Sequence, residues 1–309
     1  MRVLLIAGGW SDERDVSLNG AVQIQDALIS LGHEVCFFDL DSDLSRLIKE
    51  ARKCNVAFIN LHGRPGEDGT VQALLDDIGL PYQGSGTVGS FLALNKYLSK
   101  QIFRNHGLPT PDWFLLTGSN QKVPEEMNFP LVAKPNTGGS SLGMTILKDF
   151  ESLDKYIKQT ISKKDEVILE EYIQGQELTC AVLGDSALPP ILIKPLKGFF
   201  FDYVSKYDPD GASEICPAPV SAVITEQVQS LSLEVHDILG LEHYSRTDFI
   251  LDKNDNIFIL EANTLPGMTK TSLVPKAALA AGLDFKALVG RLLAMAIDSG
   301  KNKLRADNE

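Results

Sequence analysis

Four polar side chains near the C-terminus, Arg246, Asp248, Glu261 and Asn263, sit on two apolar runs, "HYSRTDFILD" and "NIFILEAN", parted by Asn254-Asp255-Asn256. Two strand-like runs joined by so short a polar turn predict a β-hairpin. Pairing about a turn near 255 places positions summing to 509 or 510 opposite one another, and Asp248 then faces Glu261. Cross-strand neighbours lie only a few ångströms apart. Two carboxylates that close repel unless a cation or a shared proton lies between them. Asp, Glu and the carbonyl of Asn are hard oxygen ligands, the set that suits Mg²⁺ bound with a nucleotide's phosphates. Arg246 precedes Asp248 by two residues and so shares its face of the strand. It can balance the carboxylates, or clamp negative charge that develops in a reaction.

Other stretches carry chemistry of related kinds. In "LVAKPNTGGSSLGM", Lys134 ends an apolar strand and Gly138, Gly139, Ser140 and Ser141 follow. Backbone N–H groups of such a loop can wrap phosphate oxygens, although a flexible hairpin has the same composition. It is not a P-loop, because no Gly-Lys-Ser/Thr is present and the loop opens into a strand. "VILEEYIQGQELT" contains Glu170, Glu171, Tyr172, Ile173 and Glu177. It reads as a solvated acidic turn, or as acidic groups for a ribose beside a backbone segment for an adenine edge. At the N-terminus, "AGGWSDERDVSLNG" sets a Gly-Gly turn between a strand and a helix, an anion-binding geometry. The third glycine of a dinucleotide fingerprint is missing. Glu13 at the helix start complements the dipole and would suit a substrate ammonium. "NLHGRPGEDGT" repeats the pattern, with His62 either structural or at the carboxyl edge of a parallel sheet, where ligands bind. Residues 199 to 219, "FFFDYVSKYDPDGASEICPAP", form a long irregular segment whose aromatics favour an ordered lid.

The elements that must position these groups fall into three regions. The chain of 309 residues is 44% hydrophobic and 23% charged, an ordinary globular composition too long for one small core. Residues 1 to 86 alternate apolar strands with helical patterns, which predicts a parallel α/β domain, its first helix ending at Gly32. Residues 87 to 174 predict a small mixed α/β lobe: one helical stretch, "VGSFLALNKYLSKQIFRNHG", then short strands around the Gly/Ser loop. Residues 175 to 309 predict a lobe rich in antiparallel strands, with a helix near 222 to 239 and two closing helices.

A net charge of −12, from 41 acidic and 29 basic residues, argues against broad nucleic-acid binding but leaves room for a local anion pocket. The four scattered cysteines show no metal-ligand spacing and are expected to be reduced packing residues of a cytoplasmic protein, Cys216 in its loop being the one worth watching. "MRVLLIAGG" is too short for a signal peptide and predicts a buried first strand. No apolar stretch of about 20 residues is present to span a bilayer.

Together, "GGWSDERDVSLNG", "LHGRPGEDGT", "AKPNTGGSSLGM", "YVSKY", "SRTDFIL" and "LEANTLPGMTKTSLVP" resemble, in order and spacing, the D-alanine–D-alanine ligases of the ATP-grasp fold. The resemblance runs from the first strand to the last helices. It implies ATP held between the central and C-terminal lobes. Two Mg²⁺ (with Mn²⁺ a possible substitute) would bind Asp248, Glu261 and Asn263. Lys96, Lys134 and Lys206 would contact phosphates, with Ser141 in the covering loop. Adenine and ribose would lie against Glu170, Glu171, Tyr172, Ile173 and Glu177. Glu13, grouped with Ser140 and Tyr207, would bind the first D-alanine, and Ser272 the carboxylate of the second. Arg246 and the N–H of Gly267 would form an oxyanion site. No strong general base is evident; His62 and the Tyr207 group are candidates.

The implied activity is ligation of two D-alanines through an acyl phosphate for peptidoglycan synthesis, by a cytoplasmic homodimer. Closure of residues 138 to 143 and 199 to 216 would exclude water. The alternatives are a D-alanine–D-lactate ligase, whose family usually replaces the Lys-Tyr pair intact here as Lys206-Tyr207, and a non-catalytic nucleotide-binding protein. Trp10 and Lys270 stand at positions that depart from, or vary among, the relatives.

Overall fold

The computed structural model describes residues 1–41, 43–118, 121–124, 127–139, 143–160, 166–196 and 211–306. Its first unit is a parallel sheet in the order β2-β1-β3, formed by β1 (Arg2–Gly8), β2 (Glu34–Leu40) and β3 (Val56–Ile59). Val3 through Ala7 are fully buried, as an apolar run covered on both faces requires. Helices α1 (Arg14–Ser30) and α2 (Leu44–Ala51) connect its strands, and α3 (Thr70–Asp77) follows β3. α1 buries Ser17, Gly20, Ala21, Ile24, Ala27 and Leu28, a stripe at helical spacing. Gly32 follows at φ 83°, the left-handed position that favours glycine.

The centre is an antiparallel sheet in the order β4-β7-β5-β6, from β4 (Trp113–Leu116), β5 (Leu131–Pro135), β6 (Thr145–Leu147) and β7 (Val167–Glu171). Helix α6 (Phe150–Thr160) packs against it. The third sheet contains β8 (Gly175–Leu183), β9 (Ser186–Ala187), β10 (Ile191–Pro195), β11 (Ala212–Ile215), β12 (Tyr244–Asp252) and β13 (Ile257–Asn263). Its path is β11-β10-β8-β12-β13, every pair antiparallel, with β9 beside β8. Helix α7 (Ala222–Ile238) covers one face of this sheet, burying Ile224, Val228 and Val235. The expected α/β architecture, a parallel unit followed by antiparallel-rich lobes, is the observed one.

Two connections cross between these units. The closing helices α8 (Leu273–Ala280) and α9 (Phe285–Ala306) return to the first sheet, where Leu288 and Leu292 share a core with Leu4 and Ile6. The stretch read as one helix from 88 to 107 is instead two, α4 (Thr87–Leu94) and α5 (Lys96–Asn105). Asn95 breaks it: with φ −86° and ψ 97° it leaves the helix, and its side chain accepts from Leu98 N at 3.0 Å as an N-cap. Its backbone bridges to Thr137, while Lys96 N donates to Asn136 O at 3.0 Å. The break therefore ties α5 to the segment that leads into the Gly/Ser loop.

Candidate active site

The hairpin pairs as its sequence requires. Asp248 is opposite Glu261, and Arg246 opposite Asn263. A β-bulge follows, since Phe249 pairs with Ile259 and leaves Leu260 over. A bulge re-aims the residues beside it, and here the consecutive Leu260 and Glu261 both line the same cleft. Asp248 is held by three side chains. It takes Arg246 Nε on Oδ1 and Nη2 on Oδ2, each at 2.8 Å. Thr179 Oγ1 donates to Oδ1 at 2.6 Å and Asn263 Nδ2 to Oδ2 at 3.2 Å. The forked guanidinium contact holds Arg246 charged: burial opposes the charge, and the neighbouring Asp248 outweighs it.

Between the central and third sheets lies a cleft of about 960 Å³, counting its mouth. Its polar lining brings together Lys96, Lys134, Glu170, Glu171, Tyr172, Glu177, Asp248 and Glu261. Ile173, Val132, Met144, Ile146, Ile250 and Leu260 supply apolar surface suited to a flat aromatic ring. Lys96 Nζ faces Glu261 Oε2 at 3.2 Å and donates to Gly138 O at 2.7 Å, so one ammonium links a carboxylate of the hairpin to the Gly/Ser loop. Gly139 then lies against the first unit: a Cβ there would stand 3.1 Å from Glu13 Oε2. The Glu13 carboxylate and the lysine-lined cleft are thus neighbours across Gly138 and Gly139.

Behind the cleft Glu170 is almost completely buried. Its Oε2 meets Lys134 Nζ at 2.8 Å and its Oε1 meets Lys100 Nζ at 3.1 Å. Burial would raise the Glu170 carboxyl, but the two ammonium groups outweigh it and hold it below the usual range. Lys134 is raised despite burial, by Glu170 and then Glu261. Lys100 is pulled down to about 8, chiefly by burial, with Glu170 opposing. Neither Lys100 nor Glu67 stood out as a site residue in the sequence.

The first unit brings Glu13, His62 and Glu67 to the carboxyl ends of β1 and β3. Ser11 Oγ donates to His62 O at 2.6 Å, and Glu13 caps α1 by backbone geometry with its side chain buried. His62 is kept neutral by burial, against the pull of Glu13 and of a hydrogen bond to the Leu265 backbone. Glu67 accepts from Gly63 N at 3.0 Å, and burial followed by the charge of Glu13 pushes its carboxyl up to about 8. Glu67 also borders a small cavity with Lys96, Glu261, Asn263 and Thr264. The turn after β13 completes this side. Ser272 precedes α8 and its Oγ accepts from Thr269 N at 3.1 Å. A Cβ on Gly267 would stand 3.0 Å from that Oγ. Lys270 N donates to Gln23 on α1 at 2.7 Å, which docks the turn on the first unit. Ser140, Ser141, Lys206 and Tyr207 lie outside the described residues, as does most of the expected lid.

Paired antiparallel sheets gripping a cleft lined by lysines, with two carboxylates at its end, define an ATP-grasp protein. The family model for the D-ala D-ala ligase C-terminus matches residues 102–294, and that for the N-terminus matches 42–85. A D-alanine–D-alanine ligase of Nitratidesulfovibrio vulgaris is 55% identical over 294 residues, 95% of this chain and 97% of that protein. One from Lawsonia intracellularis is 47% identical over 298 residues, covering 96% and 98%. The crystal structure of the Bacillus anthracis enzyme complexed with ATP superposes with a TM-score of 0.87 at 34% identity, covering 98% of this chain and 99% of that one. The chain belongs to the D-alanine–D-alanine ligase family.

Proposed function

We infer that this protein joins two D-alanines to D-alanyl-D-alanine at the expense of ATP, as a step of peptidoglycan precursor synthesis. The observation that carries the reading is the facing pair Asp248 and Glu261, with Arg246 locked on Asp248, at the end of a lysine-lined cleft that abuts Glu13. The donor set fits Mg²⁺: two carboxylates and an amide converge on one face, with Lys96 and Arg246 supplying the countercharge that a metal would otherwise share. When bound, Mg²⁺ at Asp248, Glu261 and Asn263 supplies countercharge to the phosphates and Lewis-acid polarisation of the transferred group.

The residues of the chain do the rest. Glu13 receives the ammonium of the first D-alanine and aims its carboxylate at the cleft. Lys96 and Lys134 offset the repulsion between that carboxylate and the triphosphate, so that the γ-phosphoryl passes to it as an acyl phosphate and ADP leaves. Ser272 holds the carboxylate of the second D-alanine. Its neutral amine attacks, and Arg246 with the Gly267 N–H stabilises the tetrahedral oxyanion before phosphate departs. A neutral His62 can accept the amine proton. The apolar wall and Glu177 accommodate adenine and ribose, while Ser140, Ser141, Lys206 and Tyr207 act from the loop and lid. A cytoplasmic homodimer with lobes dividing near 86 and 174 completes the proposal, resting on family membership.

Arg246→Ala tests the assignment. It removes the clamp without touching the base or ribose wall, so it should keep nucleotide binding while lowering ligation by about 10²–10³-fold. Equal turnover by the variant would refute the role. Supplying D-lactate beside D-alanine at neutral pH should leave the dipeptide as the main product; a predominant depsipeptide would identify the other ligase chemistry.

A further inference from the structure

We propose that Lys100 is a positioning residue for nucleotide binding, keeping Glu170 neutralised so that Lys134 can be shared with a phosphate. The inference rests on the reading of the cleft as the ATP site.

Lys100 lies one turn after Lys96 on α5, yet it has no exposed surface and does not line the cleft. Its directed hydrogen bond goes to Thr110 Oγ1 at 2.5 Å. That hydroxyl donates in turn to Ile259 O at 2.8 Å, on β13. The contact to Glu170 Oε1 is a charge pair at 3.1 Å, and Oε1 accepts no aligned hydrogen bond. The centroid of the Trp113 ring lies 5.7 Å from the ammonium. One ammonium is therefore fixed where α5, the connector before β4, the central sheet and β13 meet.

Buried ion clusters are poor stabilisers, because the desolvation of each charge offsets the attraction. Two ammonium groups nonetheless meet this one carboxylate, Glu261 facing Lys134 from beyond it, and a second cation sealed on Glu170 is hard to justify as scaffolding alone. The second cation makes sense beside a polyanion that draws on Lys134. If Lys134 were the only counter-ion of Glu170, moving it toward a phosphate would strand a buried carboxylate. With Lys100 held by Thr110, Glu170 stays paired and Lys134 Nζ remains available at the cleft wall. Lys100 touches no reacting atom, and its effect passes through Glu170.

The test is a thermodynamic cycle on the full-length protein, with variants Lys100→Met, Glu170→Gln and the pair combined. Mg²⁺-ADP affinity is measured by titration calorimetry, together with KM for ATP, KM for D-alanine and kcat. Lys100→Met should weaken ADP binding and raise KM for ATP at least tenfold, with KM for D-alanine within twofold. In the Glu170→Gln background the same change should have no further weakening effect, because no carboxylate is left to strand. Lys100→Arg should recover part of the affinity. Unchanged nucleotide affinity in Lys100→Met, or a full additional loss in the Glu170→Gln background, would overturn the proposal. If Lys100→Met does not fold, the comparison of the combined variant with Glu170→Gln alone still decides. A wild-type protein that binds no nucleotide would instead overturn the reading of the cleft.

Discussion

Asp248 collects an arginine fork, a threonine hydroxyl and an asparagine amide, so every change at these positions disturbs the charge held at the end of the cleft. Gly267 is constrained differently, by the approach of Ser272 Oγ to the space a Cβ would fill. Gly267→Ala asks the Ser272 side chain to give by a few tenths of an ångström, and we expect kcat/KM for the second D-alanine to fall by about tenfold, roughly 1.4 kcal/mol. Glu67 gives a pH effect of definite sign. Its carboxyl rises from 4.5 in the unfolded chain to about 8 in the folded one, so between these values the folded state binds the extra proton. Stability of the ligand-free protein should therefore fall as pH rises from about 5 to 8. Thermal melts of Glu67→Gln should show a flatter pH dependence through that window, and an unchanged slope would reject Glu67 as the source.

Asn95 links two elements: it caps α5 and joins that helix to the segment before the Gly/Ser loop. Asn95→Ala should cost about 1 kcal/mol of stability by denaturant melts and raise KM for ATP, because Lys96 begins the helix that it starts. This break was invisible as apolar periodicity, since no Pro or Gly marks it; an Asn before a lysine-rich turn was the available capping signal. The hairpin was legible for the opposite reason. Its strands are adjacent in sequence and its turn is short, so the register of Asp248 on Glu261 followed from counting. Lys100 was illegible because Lys96, Lys100 and Arg104 follow one another at spacings of four along one face of α5, and only tertiary packing shows which lysine is sealed against Glu170. Glu67 is similar: it stands in a Gly-rich turn, and only the fold brings it beside Glu13.

Across the whole molecule the site depends on all three sheets. The first brings Glu13 and His62, the central one Lys134 and Glu170, and the third Asp248 and Glu261. The closing helices return to the first sheet, and the Lys270 N–Gln23 bond seats the turn carrying Gly267 and Ser272. Cys180 and Cys216 are used in packing, their thiols raised by burial. Among the described residues no helix is long and apolar enough to cross a membrane. An assembly of this kind has one defining output, the coupling of ATP cleavage to peptide-bond formation. The most direct measurement follows ADP release with and without D-alanine and Mg²⁺, with the product weighed by mass spectrometry. We predict ADP and D-alanyl-D-alanine in equal amounts, only when both are present and abolished by EDTA. ADP release indifferent to D-alanine, or D-alanine-dependent release without dipeptide, would contradict the account.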